Sequence, residues 1–317
     1  MTPRDVVHGV MSTARYGVFL PLVGLEWTRL RTLAPRVEDL GYDSLWFDDH
    51  FWFPGAPERD HLEVWTVLSA LAPLTRRITI GPLVLSQSFR PPGLLAKMAA
   101  SLSHVSEGRL CLGLGAGWME EEYRAYGCDM PPARDRVAQL GEVVEVLRRL
   151  GRDERATFQG RFHRLVEAPA LPKPDRLRIL LGGAGEKVLA LAARTADVWN
   201  CPNPNWRDLA VKRERLHCLC EENGRDPDSI EVSEQVVVVV GANAAEVARE
   251  RERAGRIMAG FAQFDGDVHV GTPEEVADAL RGRIALGVRH FMVMFGDFGS
   301  DEQIALFAER VLPLLRG

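Results

Sequence analysis

The sequence predicts an α/β fold, a (β/α)8 TIM barrel with insertions around its C-terminal mouth, on three observations. Short β-rich runs alternate with longer stretches of helical period, eight times along the chain. Several of the strand runs, ITIGPLVL and VVVVV among them, are apolar at nearly every position, as strands covered on both faces must be. The chain has 317 residues, more than the roughly 250 such a barrel typically needs. One barrel domain over residues 1–317 with added loops accounts for the surplus.

Taken in order, the first strand run is 16–20, followed by a helix marked by Leu30, Leu33, Val37 and Leu40 at three- and four-residue spacing. Strand 43–47 precedes the pattern Val64, Leu68, Leu71, Leu74, and strand 78–85 precedes helix 94–102. Strand 110–114 leads into helical stretch 137–150, strand 179–181 into 188–194, and strand 197–199 into 209–219. Strand 232–240 is followed, after an insertion, by helix 276–284, and strand 290–295 by helix 304–315. Two segments read as insertions: 151–178, rich in Pro and charge with the hairpin-like TFQGRFHRL, and 255–273. Neither carries enough apolar residues for a core of its own.

Composition narrows the function. There are 39 Lys+Arg against 44 Asp+Glu, a net charge of −5, without the one-sided basic excess of a nucleic-acid binder. No apolar run approaches the roughly 20 residues that span a bilayer, and the N-terminal stretch has no continuous apolar h-region. The expected setting is cytoplasmic, with neither membrane nor nucleic acid as partner. The five cysteines form no zinc spacing and are expected to be reduced, and no H-x-x-H or H-E-x-x-H exists, so no metal site is expected.

In this fold chemistry sits at strand C-termini and the loops that follow. Asp48, Asp49 and His50 follow the second strand, and an imidazole beside carboxylates suits proton transfer. A loop-capping histidine is the plainer alternative. Ser86 follows the third strand, and Gly115, Ala116, Gly117 and Trp118 the fourth. LGLGAGW looks like a dinucleotide fingerprint, but its spacing is G-x-G-x-G and no strand ending in an acid follows. A close backbone approach to a flat ring, or a plain tight turn, fits it better. Gly182, Gly183, Ala184, Gly185 and Glu186 join a strand to a helix N-terminus, where backbone N–H groups can hold a phosphate. Phe19, Trp52 and Trp118 belong to an aromatic set concentrated in the first four units that can wall a pocket, with Phe51-Trp52-Phe53 as its rim.

These residues, in this order, resemble the bacterial luciferase-like flavin and deazaflavin oxidoreductases: YGVFLP, LGYDSLWFDDHF, RITIGPLVLSQSFRPPGLLAKMAASLSHVSEGRLCLGLGAGW, ILLGGAGEKVLALAARTADVWN and VGTPEEVADALRGRIALGV. The GAGW, GGAGEK and GTPEEV versions point to the branch that uses coenzyme F420. The resemblance implies Asp49 and His50 beside the ring of the cofactor, with His50 exchanging a proton. It implies a non-proline cis peptide at Leu83-Val84 against that ring. Ser86, Gly115, Ala116 and Gly117 would line the ring, and Gly182 to Glu186 would hold the phosphate. Relatives that oxidise a sugar phosphate carry a Glu where Trp118 stands and a Trp where this chain has Pro54, so a hydrophobic or aromatic small molecule is the expected substrate. The family alternatives are an FMN-dependent monooxygenase supplied by a partner reductase, and a non-catalytic flavin binder. Relatives suggest a homodimer.

Overall fold

The computed structural model describes residues 14–53, 55–259 and 268–317. Among these residues twelve strands form: β1 (Arg15–Leu20), β2 (Ser44–Phe47), β3 (Thr79–Pro82), β4 (Leu85–Ser86), β5 (Cys111–Gly115), β6 (Arg155–Gln159), β7 (Arg164–Pro169), β8 (Arg178–Gly182), β9 (Val198–Cys201), β10 (Glu231–Val240), β11 (Val268–Gly271) and β12 (His290–Phe295). Ten share one sheet in the order β3-β2-β1-β12-β10-β9-β8-β5-β4, with β11 off this path on β10. Every pairing in that sheet is parallel.

The two ends of this order belong to one stretch of chain. The run 78–85 reads as a single strand in the sequence, but it divides into β3, which pairs with β2, and β4, which pairs with β5. Between them lies a cis Leu83-Val84 peptide, at the position the family resemblance implies. With Ile80 also bridging to Leu110, the sheet closes on itself as an eight-stranded barrel.

Alternation along each strand sends one set of side chains outward and the other into the barrel. The outward set, including Val18, Leu45, Leu112, Leu181, Val236, Val238 and Phe291, forms the main core beneath the helices. The inward set is a second cluster, with Phe19, Trp46, Leu180, Val237, Met292 and Met294. Trp46 is buried in this inward set, and Gly81 makes room for it: a Cβ there would lie 2.7 Å from its indole ring.

Below Trp46 the interior is polar and closed. Glu231 accepts from Arg15 at 2.5 and 2.7 Å and from Arg178 at 2.8 Å, while His290 Nδ1 lies 3.2 Å from it. A carboxylate only accepts, so Nδ1 carries the ring hydrogen and Nε2 takes the Ser44 hydroxyl hydrogen at 2.6 Å. Ser44 in turn accepts from Trp46 Nε1 at 2.7 Å. Burial and the two arginines keep His290 below its ordinary value, hence neutral. With this end sealed, access is from the C-terminal ends of the strands.

The segment 151–178 forms the hairpin expected of it. β6 and β7 pair antiparallel, and Glu142 on helix Ala133–Arg152 accepts the N–H groups of Arg161, Phe162 and His163 at 2.6, 3.0 and 2.9 Å. The other predicted insertion, 255–273, needs correction. A helix, Ala244–Ile257, runs into it and β11 emerges from it; residues 260–267 and Pro54 lie outside the described residues. The helix lacks the large apolar residues at three- and four-residue spacing that mark the others: its weak apolar face is mostly alanine, and Ala254 is its one buried residue. No helix among the described residues is long and apolar enough to cross a membrane.

Candidate active site

The loop after β2 carries three consecutive titratable groups, each held by a different element. Asp48 is buried; its Oδ1 accepts the Leu22 N–H at 2.8 Å and its Oδ2 lies 3.2 Å from His61 Nε2. Asp49 accepts both arms of Arg90 at 2.9 Å and the Ser86 N–H at 2.9 Å. Burial is the largest influence on Asp49 and leaves its carboxyl above the ordinary range despite Arg90. Arg90 also meets Glu63 at 2.5 Å. Both oxygens of Asp49 are therefore occupied in fixing the loop after β4.

His50 is held from the opposite side. Its Nδ1 lies 3.0 Å from Glu122 Oε2, and the Phe51 N–H donates to Glu122 Oε1 at 2.5 Å. The Trp118 ring stands edge-on to the imidazole, centroids 5.6 Å apart at 84°. Burial pulls the imidazole down, but the Glu122 hydrogen bond and the nearby Asp48 outweigh it and hold His50 above its ordinary value.

The glycines of LGLGAGW have a structural task the sequence did not separate from ligand approach. Val84 points into a notch between β5 and β8. A Cβ on Gly115 would lie 2.6 Å from Val84 Cγ2, one on Gly113 would lie 3.1 Å from Cγ1, and one on Gly182 would lie 3.1 Å from Cγ1. Strand glycines commonly mark such close approaches. Gly117 is different. Its φ of +76° favours glycine, and a Cβ there would be 2.0 Å from the Tyr123 hydroxyl. That hydroxyl hydrogen-bonds Ser86 Oγ, tying helix Glu120–Ala125 to β4.

The turn after β8 is pinned by backbone and indole. The Gly183 N–H donates to Asn200 O at 3.2 Å, Trp199 Nε1 donates to Gly183 O at 2.8 Å, and Gly183 has φ +133°. The helix Glu186–Thr195 starts directly behind, and its first N–H groups have no intrahelical acceptor.

These pieces surround one cavity of about 520 Å³ at the C-terminal mouth. Of the residues singled out in the sequence, Phe19, Asp49, His50, Leu83, Val84, Ser86, Gly115, Ala116, Gly117, Trp118, Gly182, Gly183 and Ala184 line it. Three lie elsewhere. Trp52 packs its ring on Tyr126 with centroids 5.7 Å apart, so it supports the rim from outside. Gly185 is solvent-exposed with open space around it, and the Glu186 carboxylate turns away to Arg215 at 2.7 Å. The expected aromatic rim is also redistributed: Phe53 is buried against Phe298, whereas Phe51 stacks between Phe89 and Tyr126.

Asn200, which follows the sixth strand run and so is a strand-end candidate, joins the lining; sequence reasoning missed Glu122 and Tyr123, and the polar side chains of Asn205 and Gln235. Gln235 was legible in principle, as a polar residue at an inward position of β10 in phase with Val237 and Val239. No group of three or more His, Cys, Asp or Glu among the described residues is placed to hold a metal ion. The five cysteines are free thiols.

A family model described as luciferase-like monooxygenase matches residues 8–269. An F420-dependent glucose-6-phosphate dehydrogenase of Kineococcus radiotolerans is 28% identical over 323 residues, taking in 91% of this chain and 93% of that protein. Among solved structures, an F420-dependent secondary alcohol dehydrogenase in complex with an F420-acetone adduct superposes with a TM-score of 0.83 at 22% identity, covering 96% of this chain and 99% of that one. A monooxygenase from Streptomyces bottropensis gives 0.80 at 24% identity, covering 94% and 99%. At these identities the structural likeness speaks to the fold, an α/β barrel of the TIM type.

Proposed function

This chain belongs to the luciferase-like monooxygenase family, and on that footing we propose that it is an F420-dependent oxidoreductase acting on a small apolar or aromatic organic substrate. The observation that carries this reading is the meeting, in one cavity, of the Gly182-Gly183-Ala184 turn, the Val84 bulge and His50. A group with a phosphate at one end and a flat ring at the other fits that arrangement. The turn precedes a helix N-terminus, whose free N–H groups and positive dipole end favour an anion, and Gly183 has a backbone that a side chain would strain. The deazaflavin, when bound, would give or take the hydride.

The protein's own contribution is orientation and proton handling. His50 Nδ1 is engaged by Glu122, which leaves Nε2 to exchange a proton with a substrate oxygen. Asp49 acts as an anchor, since its oxygens hold Ser86 and Arg90. Phe19, Phe53, Phe89, Trp118, Met119 and Met294 make the walls largely apolar, and Trp118 stands 52% exposed at the mouth. No Lys or Arg is found among the described lining residues. A second phosphate, on the substrate, would therefore meet no Lys or Arg there among the described residues, which argues against a sugar phosphate.

A second reading is an FMN-dependent monooxygenase using reduced flavin from a separate reductase, favoured by the fold shared with the Streptomyces bottropensis enzyme. Fluorescence titration of the purified protein with F420 and, separately, FMN distinguishes them. Saturable F420 binding that is tighter than FMN binding is expected. FMN binding without F420 binding overturns the assignment.

A further inference from the structure

We propose that Glu122 is a positioning residue of this site, gripping the His50 ring at Nδ1 and the Phe51 backbone N–H at once, so that Nε2 becomes the proton-exchanging nitrogen. The proposal rests on the reading of His50 as the proton-exchanging group.

Glu122 belongs to the run Glu120-Glu121-Glu122, in which the first two side chains are exposed and the third is 1% exposed. A buried carboxylate requires partners, and both of its oxygens find them on adjacent residues of the loop after β2, at 3.0 and 2.5 Å. The bond from Tyr123 to Ser86 fixes the short helix that delivers it. Because a carboxylate only accepts, the shared hydrogen sits on Nδ1. The neutral ring then carries its lone pair at Nε2, and that same atom bears the second proton when the ring is charged. Nε2 has no hydrogen-bond partner among the described residues, and His50 lines the cavity. The remaining charges around the ring are accounted for. Asp48 faces His61, Asp49 is bound by Arg90, and Trp118 contributes only a ring edge. Glu122 is thus the one carboxylate in direct contact with the imidazole among the described residues.

The test uses the cofactor-free protein with ¹⁵N-labelled histidine, comparing wild type, Glu122→Gln and Glu122→Asp by long-range ¹H–¹⁵N spectra across a pH series, with His50→Ala to assign the resonance. Wild type should show the Nδ1–H tautomer. Glu122→Gln should lower the His50 midpoint and reduce kcat by about 100-fold, with KM and melting temperature close to wild type, and Glu122→Asp should recover part of both. An Nε2–H tautomer in wild type, or an unmoved midpoint in Glu122→Gln, overturns the proposal. Should Glu122→Gln fail to fold, the wild-type tautomer still decides. None of these spectra needs F420, so failure of cofactor binding and failure of this proposal are separate results.

Discussion

Replacing Gly115 with alanine tests how the barrel mouth is built. The added Cβ would stand 2.6 Å from Val84 Cγ2, whereas carbon atoms in contact rest about 3.5–4.0 Å apart. One of the two must move by about 1 Å. Gly113 and Gly182 border Val84 on two other sides, where glycine presents only hydrogen; Val84 also lines the cavity, and displacement towards that open side is expected. Overpacking of this kind costs about 1–3 kcal/mol, which for a chain of this size lowers the melting temperature by roughly 1.5–4.5 °C. The intruding valine should also weaken F420 binding, read by fluorescence titration. Val84→Ala removes both Cγ atoms, so the double variant should regain most of the loss, a coupling of at least about 1 kcal/mol in a double-mutant cycle. A Gly115→Ala protein with unchanged melting and unchanged affinity would refute the notch, and so would a double variant no better than the single one.

Other perturbations follow from the same geometry. Arg90→Ala leaves the Asp49 carboxylate buried without its cation and should cost about 3–5 kcal/mol in denaturant unfolding; a loss within error of zero contradicts the pairing. Glu38 accepts the N–H groups of Arg76, Arg77 and Ile78, so Glu38→Ala should cost about 2 kcal/mol. Although burial pushes the Glu38 carboxyl up, those backbone bonds outweigh it and hold it below its ordinary value. Its contribution is complete above the ordinary carboxylate range and is lost as pH falls through the lowered folded value. Glu38→Gln should flatten that acid limb in melts taken across pH. His50→Ala should lower kcat by about 10²–10⁴-fold. Because the folded His50 is raised, its stabilisation is full below the ordinary histidine value and disappears as pH rises through the folded one. His50→Gln should remove that dependence.

The barrel was legible because its strands are buried on both faces and announce themselves as nearly unbroken apolar runs, β10 above all. What the runs could not display was the break at Leu83-Val84, since a strand and a bulge are equally apolar; only the family resemblance located it. Helix Ala244–Ile257 stayed hidden because its apolar side is mostly alanine, with Val247 and Ile257 its only large apolar residues. At the site, the strand-end rule found His50 and the Gly182 turn, but adjacency in sequence overreached at Glu186, whose Cα–Cβ direction takes it to Arg215. Glu122 was concealed for the opposite reason. Three consecutive glutamates look like a solvated face, and the burial of the third depends on Tyr123 reaching Ser86, a contact between residues 37 apart in sequence.

The central claim is hydride exchange between F420 and an organic substrate at this mouth. The most direct measurement is anaerobic. Reduced F420 is mixed with apolar and aromatic carbonyl compounds, and oxidised F420 with the corresponding alcohols, while the deazaflavin absorbance is followed. A substrate-dependent redox change of F420 without oxygen, lost in His50→Ala, is the expected result. Turnover seen only with FMNH₂ and accompanied by oxygen consumption would contradict it.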